Sequence, residues 1–427
     1  MKIFLGVIGC RLNQSEIEDF ANHFRALGHQ IVSEPAHADV AIVNTCTVTI
    51  KAAADSRKQL RRAGREGAQT VIATGCWATL APEAALDLPG VTKVVLNQNK
   101  GSLVADLLNI SPEEISALAI VRHPLPGERA RTRAFIKVQE GCDNCCTFCL
   151  TRLARGRARS VELSKIQNDI QAAIDGGAKE VVLTGVQLGG WGRDFVEPKR
   201  IKDLLAGVLS NPTIPRLRLS SIEPWEFDLS MLSLWQDERL CRHLHLPLQS
   251  GSDRILKKMG RPIIVGDYEH ILEEVRSAIP GAAITTDVIV GFPGEDEADF
   301  EATKSLIKTV GFAGGHVFTY SPRPGTPAYN MEGQVPHQVA KARNATLREV
   351  FKQSSRAYRE GFIGQQVKVL WESSHRLGEG KWQLSGLTDH YMRVFSVAET
   401  DLRNIITTVA LDAQHPHKNA LFGRIID

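Results

Sequence analysis

No apolar run in this sequence approaches the roughly twenty residues that a membrane-spanning helix needs. The opening run, residues 3–8, is also too short for the core of a secretory leader. Behind Lys2 it reads instead as a first β-strand. A cytosolic protein is therefore expected. A surplus of charge is missing too: 51 Lys and Arg stand against 48 Asp and Glu, a formal net charge of +3. No global basic field announces a nucleic acid, so such a partner must be sought in local clusters. Low-complexity tracts and internal repeats are absent, which removes disordered and solenoid architectures.

What is present describes a globular chain with a real core, 43% hydrophobic and 23% charged. At 427 residues it is long enough for two or three domains. Eight cysteines in a reducing compartment argue for metal or redox chemistry rather than disulfides. Scattered buried thiols are the bland alternative for any one of them. It fails for the set, because four of the eight lie between residues 142 and 149.

Residues 1–120 alternate short apolar runs (3–8, 41–43, 71–73, 94–95) with helical patterns, as in a doubly wound parallel sheet. Ser15 and Glu18 have the spacing of a capping box opening an amphipathic helix. Residues 121–133, with two prolines and four arginines, read as a linker. Over 134–335 six further apolar runs (134–138, 181–183, 217–219, 244–248, 284–290, 317–319) alternate with helices, which suggests a partial (β/α)6 barrel. A linking helix is expected over 336–360, and a small β-barrel over 361–427.

The chemistry concentrates in Cys142-x3-Cys146-x2-Cys149. A short loop with three thiolates can wrap an iron–sulfur cluster. Three ligands for four irons leave one iron open to chelate something else. A four-ligand zinc site completed by Cys145 is the competing reading, but adjacent Cys145 and Cys146 point poorly at one metal. The motif, with Phe148 before its last cysteine, resembles that of the radical S-adenosylmethionine superfamily. The resemblance implies that the open iron binds S-adenosylmethionine and that an electron cleaves it to a 5'-deoxyadenosyl radical. Residues 182–190 (VLTGVQLGG) and 291–295 (GFPGE) resemble the superfamily's later cofactor turns. Phe148, Gln187, Glu223, Gln249 and Gly291 are the expected S-adenosylmethionine contacts. A salt bridge to a nearby arginine is the alternative for Glu223.

Cys10, Cys46 and Cys76 each directly follow an expected strand. In a parallel sheet these carboxyl ends share one edge, so the three thiols are placed to hold a second cluster. Coincidental turn cysteines are the alternative. Gly9 and Gly75 would let backbone approach a bulky group closely. Together with Leu219-Ser-Ser-Ile-Glu223-Pro224, His245-Leu-Pro-Leu-Gln249-Ser-Gly251-Ser252 and Ser321-Pro-Arg-Pro-Gly325-Thr326, these motifs resemble the methylthiotransferase family over nearly the whole chain.

That resemblance implies two 4Fe–4S clusters, S-adenosylmethionine, an electron donor such as a flavodoxin or ferredoxin, and a sulfur source. It also implies a monomer that adds a methylthio group to an unactivated carbon. Asn44-Thr-Cys46-Thr-Val-Thr49, followed by Lys51-Ala-Ala-Ala-Asp55-Ser56-Arg57, resembles the group acting on C2 of threonylcarbamoyladenosine beside the tRNA anticodon. Isopentenyladenosine in tRNA and a ribosomal-protein aspartate are the other family substrates. A metal-stabilised RNA-binding protein is the non-enzymatic alternative. Local basic clusters fit RNA, foremost Arg152, Arg155, Arg157 and Arg159. The tail segment 386–394 resembles a TRAM domain, which makes Tyr391 and Arg393 candidate RNA contacts. Cys145 is expected to be a buried spectator and Cys241 structural.

Overall fold

The computed structural model describes residues 1–116, 118, 120, 122, 132–378 and 380–426. The proposed linker 121–133 lies outside them apart from Arg122, Thr132 and Arg133. The chain divides into two compact units. One comprises residues 1–144, 150–178 and 184–186; the other comprises 145–149, 179–183 and 187–427.

In the first unit, strands β1 (Lys2–Val7), β2 (Gln30–Val32), β3 (Val40–Thr45), β4 (Thr70–Gly75) and β5 (Val91–Val95) form one sheet in the order β2-β1-β3-β4-β5. Every pairing is parallel. β3 reads Val-Ala-Ile-Val-Asn-Thr and is buried throughout, as a central strand covered on both faces must be. One face packs under Ile17, Phe20 and Phe24 of the helix Arg11–Ala26. The other packs under Leu60 and Ala63 of the helix Ile50–Arg65. That helix is capped by the Thr49 hydroxyl, which accepts from Ala52 N–H at 3.0 Å.

Two expectations are corrected here. β2 was not anticipated, because its three residues carry too little apolar pattern to stand out. The capping box also fails: the helix begins at Arg11 with Cys10 as N-cap, so Ser15 and Glu18 lie inside it and are buried. Glu18 instead pairs with Arg122.

The same unit holds β6 (Arg133–Lys137) and the short antiparallel pair β7 (Gln139–Glu140) and β8 (Arg159–Ser160). In the second unit, β9 (Glu180–Thr184) contributes its residues 180–183 and pairs in parallel with β10 (Leu217–Leu219). β11 (His243–His245), β12 (Ala283–Val290) and β13 (Gly314–Thr319) form a parallel sheet in that order. With the helices between them, the succession β6, β9, β10, β11, β12, β13 is that of a partial (β/α)6 barrel. The helix His337–Glu360 follows.

Strands β14 (Gln366–Gly378), β15 (Lys381–Thr388), β16 (Arg393–Ala398), β17 (Ile406–Gln414) and β18 (Leu421–Ile425) close a barrel in the order β14-β15-β16-β18-β17. Its interior is filled by Val369, Trp371, Leu384, Val394, Val409 and Leu421. The Trp371 indole donates to Thr407 Oγ1 at 2.9 Å, so this large ring is buried without an orphaned N–H.

A buried ion cluster ties this barrel to the central strands. The Glu180 carboxylate takes Arg216 Nε and Arg218 Nε, each at 2.7 Å. Those guanidiniums then donate to the carbonyls of Leu387 and Thr388 at 3.1 Å and of Asp389 at 2.9 Å. Among the described residues no helix is long and apolar enough to cross a membrane.

Candidate functional site

Register decides where the first three cysteines fall. Val7 of β1 is level with Asn44 of β3, and Thr45 of β3 is level with Gly75 of β4. Cys46 and Cys76 are the residues directly after Thr45 and Gly75, and Cys10 lies three after Val7. All three therefore emerge on one sheet edge. Cys46 and Cys76 are buried, while Cys10 keeps an open face. Burial first, then the nearby Cys10 and Cys76 thiols, push the Cys46 thiol up to about 11. The protein packed behind the Cys10 thiol raises it, and the Arg155 charge is the chief influence opposing that rise.

Side chains sew this edge together. Asn13 Nδ2 donates to Ile8 O at 2.8 Å and to Thr45 O at 3.0 Å, joining the Cys10 and Cys46 turns. Ser56 Oγ accepts from the Cys46 N–H at 2.9 Å. Asn97 Nδ2 lies 3.8 Å from Cys76 Sγ and donates to Ala154 O at 2.7 Å. Gly9 has φ +105°, and a Cβ there would sit 2.5 Å from Cys46 Sγ. Gly75 has φ +93°, and a Cβ there would meet Thr45 N at 2.5 Å. Both positions exclude a side chain, as their sequence placement suggested.

Behind the edge lies a buried charge network that sequence reasoning missed. Glu16, Lys100 and Arg155 are 3%, 4% and 4% exposed. Lys100 Nζ meets Glu16 Oε2 at 2.8 Å, and Arg155 Nη1 meets Glu16 Oε1 at 2.8 Å and Glu140 Oε1 at 3.0 Å. Arg155 Nη2 also donates to Asn13 Oδ1 at 2.6 Å. This corrects the reading of Arg155 as an RNA contact: it is an interior residue holding the cysteine edge. Arg152, Arg157 and Arg159 remain exposed.

In the loop 142–149, each cysteine is positioned by its own unit. Cys142 N–H donates to Gly156 O at 3.1 Å. Gly141 precedes it at φ +72°, where a Cβ would run into the Arg157 carbonyl. In the other unit, Cys149 N–H donates to Cys146 O at 3.2 Å, and Thr147 N–H donates to Met259 O at 2.9 Å. Arg261, only 2% exposed in its side chain, stands with Nη1 3.8 Å from Cys146 Sγ and pairs with Glu223 at 2.7 Å. Burial raises the Cys146 thiol to about 11, against the pull of Arg261. Arg261 also stacks over Trp225 at 4.2 Å. It lies in the sequence 259–262 (MGRP), which carried no local signal of its role.

Several expected cofactor contacts are otherwise engaged. Glu223 forms the anticipated alternative, the salt bridge. Gln187 is buried and donates to Glu226 Oε1 at 2.5 Å. The Gly291 N–H donates to Glu295 Oε1 at 2.9 Å, and a Cβ there would meet Ala340 Cβ at 2.5 Å, so its glycine admits the long helix. Phe148 packs edge-on against Phe292, centroids 6.3 Å apart. Gln249 takes φ +70° and bridges to Val288.

Tyr391 is half-buried, stacks on His243 with centroids 4.6 Å apart and carries Arg218 at 5.0 Å. Arg393 pairs with Glu372 at 2.7 Å. Cys145 is exposed rather than buried, and Cys241 is buried, its thiol pushed up to about 12 by that burial.

The donor sets suit clusters. Among the described residues no three His, Cys, Asp or Glu side chains gather tightly enough to hold one metal ion. A single zinc draws its thiolates to about 2.3 Å. A cubane takes one thiolate per corner iron, which accommodates thiols that influence one another without converging on a point.

Comparison with known proteins extends this geometry. Residues 136–307 match the model of the radical SAM superfamily, and residues 2–97 match uncharacterized protein family UPF0004. The chain is 34% identical, over 98% of its length and 96% of the relative's, to the threonylcarbamoyladenosine tRNA methylthiotransferase MtaB of Bacillus subtilis. It is 37% identical, over 90% of its length and 89% of the relative's, to the protein of that name from Thermotoga maritima. A tRNA-2-methylthio-N(6)-dimethylallyladenosine synthase of Clostridium tetani is 33% identical over 90% of this chain and 88% of that one. Among solved structures, the radical S-adenosylmethionine methyltransferase TsrM from Kitasatospora setae, with cobalamin and a [4Fe-4S] cluster bound, shares the fold. Its TM-score is 0.57, over 77% of each chain, at 15% identity. At 34% and 37% identity to the first relatives, over 98% and 90% of its length, the chain belongs to the methylthiotransferase family of radical S-adenosylmethionine enzymes.

Proposed function

We propose that this enzyme adds a methylthio group to C2 of threonylcarbamoyladenosine beside the tRNA anticodon. The observation that carries the reading is the placement of Cys10, Cys46 and Cys76 at one strand edge, in a chain that also carries the Cys142-x3-Cys146-x2-Cys149 spacing of radical enzymes. The family uses S-adenosylmethionine and two 4Fe–4S clusters, and each cysteine set leaves one iron of its cluster without a protein ligand. When bound, the cluster of the 142–149 loop supplies the electron that cleaves S-adenosylmethionine.

The chain's own residues do the positioning. Cys10, Cys46 and Cys76 hold one cluster, with Asn13 fixing the spacing of two of their turns. Arg261 stands behind Cys146 and offsets the negative charge of a ligating thiolate. Phe148 and Gln249 border the S-adenosylmethionine subsite. Arg152, Arg157 and Arg159 are placed to meet tRNA phosphates, as exposed guanidiniums do. A flavodoxin- or ferredoxin-like donor and a sulfur source complete the cytoplasmic reaction.

The substrate follows from the relatives' names and the 44–57 stretch, and nucleoside analysis of tRNA from a strain lacking this protein tests it. Loss of methylthio-threonylcarbamoyladenosine, with its unmethylthiolated precursor accumulating, is the expected result. An unchanged tRNA profile, or loss of the methylthio group from isopentenyladenosine instead, overturns the substrate assignment.

A further inference from the structure

The segments that follow β9 and β10 enclose a cleft of about 530 Å³, past the carboxyl ends of these strands, where active sites form in barrels of this kind. Its walls include Gly189, Arg193, Arg200, Trp225, Glu226 and Asp228. A space of this size suits a small organic group rather than a lone ion. The half-buried Trp225 carries Arg261 over its ring at 4.2 Å, and Arg261 Nη1 stands 3.8 Å from Cys146 Sγ. One side chain thus separates the wall of the cleft from the radical cradle's loop.

Two guanidiniums, which stay charged at any working pH, open onto this cleft. The side chains of Arg193 and Arg200 are 57% and 78% exposed. Each has a carboxylate beside it. Arg193 Nη1 lies 3.2 Å from Glu226 Oε1, and Arg200 Nη1 lies 3.6 Å from Asp228 Oδ2. Pairs with the cation in water hold weakly. Burial also raises the Glu226 carboxyl, against the pull of Gln187 and Arg193, which loosens the first pair further. A second anion can therefore compete for both guanidiniums.

The carboxylates of the cleft have acceptors to spare. Glu226 is 4% exposed, and its Oε2 has no hydrogen-bond partner among the described residues. Asp228 Oδ1 accepts from the Ser230 N–H at 2.9 Å, whereas its Oδ2 accepts no hydrogen bond among the described residues. Buried orphans of this kind point to a donor that the chain itself does not supply. The ligand that suits this wall carries an anion for the guanidiniums and N–H or O–H groups for the carboxylates.

We infer that this cleft binds the threonylcarbamoyl group of the target base, with Arg193 and Arg200 on its carboxylate and Glu226 and Asp228 on its N–H and hydroxyl groups. This rests on the proposed substrate and deepens it. A guanidinium fork meets a carboxylate with two parallel hydrogen bonds. An isopentenyl substituent carries no polar group, so the cleft separates the two substrates. Specificity built on hydrogen-bonding a charged group is strong, because the site's polar atoms lose a partner when that group is missing.

The test is equilibrium binding of the reconstituted enzyme to one tRNA carrying either threonylcarbamoyladenosine or plain adenosine at the target position. The wild type is expected to prefer the modified tRNA by about tenfold or more, the worth of a charge-assisted hydrogen bond. Arg193→Met combined with Arg200→Met, which keeps the stems but removes both cations, is expected to bring the ratio of the two Kd values close to one. Lysine at both positions, which restores the charge without the fork, is expected to recover part of it. S-adenosylmethionine also carries a carboxylate, and the cluster spectrum separates the two sources: the double methionine variant should respond to S-adenosylmethionine as the wild type does. A variant that loses this response assigns the cleft to the cofactor and overturns the inference. A double methionine variant with normal iron content that keeps the full preference overturns it as well. A wild type that binds both tRNAs alike also overturns it, and the nucleoside profile of the deletion strain shows separately whether the proposed substrate stands.

Discussion

Replacing Cys10, Cys46 and Cys76 together by alanine is expected to halve the iron of the reconstituted enzyme, from about eight to about four per chain. Cleavage of S-adenosylmethionine should persist, and the methylthiolated nucleoside should disappear altogether. The reasoning is geometric. The three thiols share a strand edge separate in sequence from the 142–149 loop, so removing them leaves the radical cradle's ligands in place. The converse variant, alanine at Cys142, Cys146 and Cys149, should also keep about four irons but lose S-adenosylmethionine cleavage and product together. Metal analysis and single-turnover product analysis read both outcomes. Product from the first variant would show that the amino-terminal edge is not part of the chemistry. Cys145, exposed in the same loop, serves as the control: Cys145→Ala should retain both clusters, and loss of a cluster there would overturn the ligand assignment.

Arg155→Met is expected to be severely destabilising, by about 3–5 kcal/mol, because it strips a partner from a buried ion cluster without removing the charges it compensates. Glu16 would keep Lys100 but lose the guanidinium, and Asn13 Oδ1 would lose its 2.6 Å donor. The Cys10 and Cys46 turns, both tied to Asn13, should loosen with it, so cluster loading should fall as well. Arg152→Met, at an exposed position, should stay within about 0.5 kcal/mol.

The network also sets an acid dependence. Burial alone would raise the Glu16 carboxyl, but Lys100 and Arg155 hold it well below the ordinary carboxylate range. A depressed folded value means that its stabilisation is complete above the unfolded value, about 4.3, and is lost as pH falls through the folded one. The wild type should therefore keep this contribution down to strongly acidic pH, and Arg155→Met should begin losing it at higher pH. Thermal melts across pH 3–7, followed by the first unfolding transition, measure both effects. Superimposable acid profiles for the two proteins would refute the network's role.

What the sequence disclosed and what it hid divide along sequence separation. The Cys142-x3-Cys146-x2-Cys149 spacing is local, and strand-end placement of Cys10, Cys46 and Cys76 follows from apolar runs ending in turns. Both were readable because a parallel sheet brings its carboxyl ends to one edge. Arg155 was misread because a basic run looks alike whether it faces solvent or a carboxylate, and its partner Glu16 stands 139 residues away. Arg261 was hidden for the same reason: its meaning lies in which loops become neighbours. β2 escaped because three residues carry no period, and the Ser15 cap was a real spacing displaced by a helix that starts four residues earlier.

The central claim is that two separate cysteine sets each hold an open-site cluster in one chain. Iron and sulfide analysis of the wild-type protein after anaerobic reconstitution, with the cluster spectrum recorded before and after S-adenosylmethionine is added, tests it most directly. About eight irons with matching sulfide per chain, and a spectrum that S-adenosylmethionine perturbs, are expected. Stoichiometric zinc, or about four irons with a spectrum indifferent to S-adenosylmethionine, would contradict it.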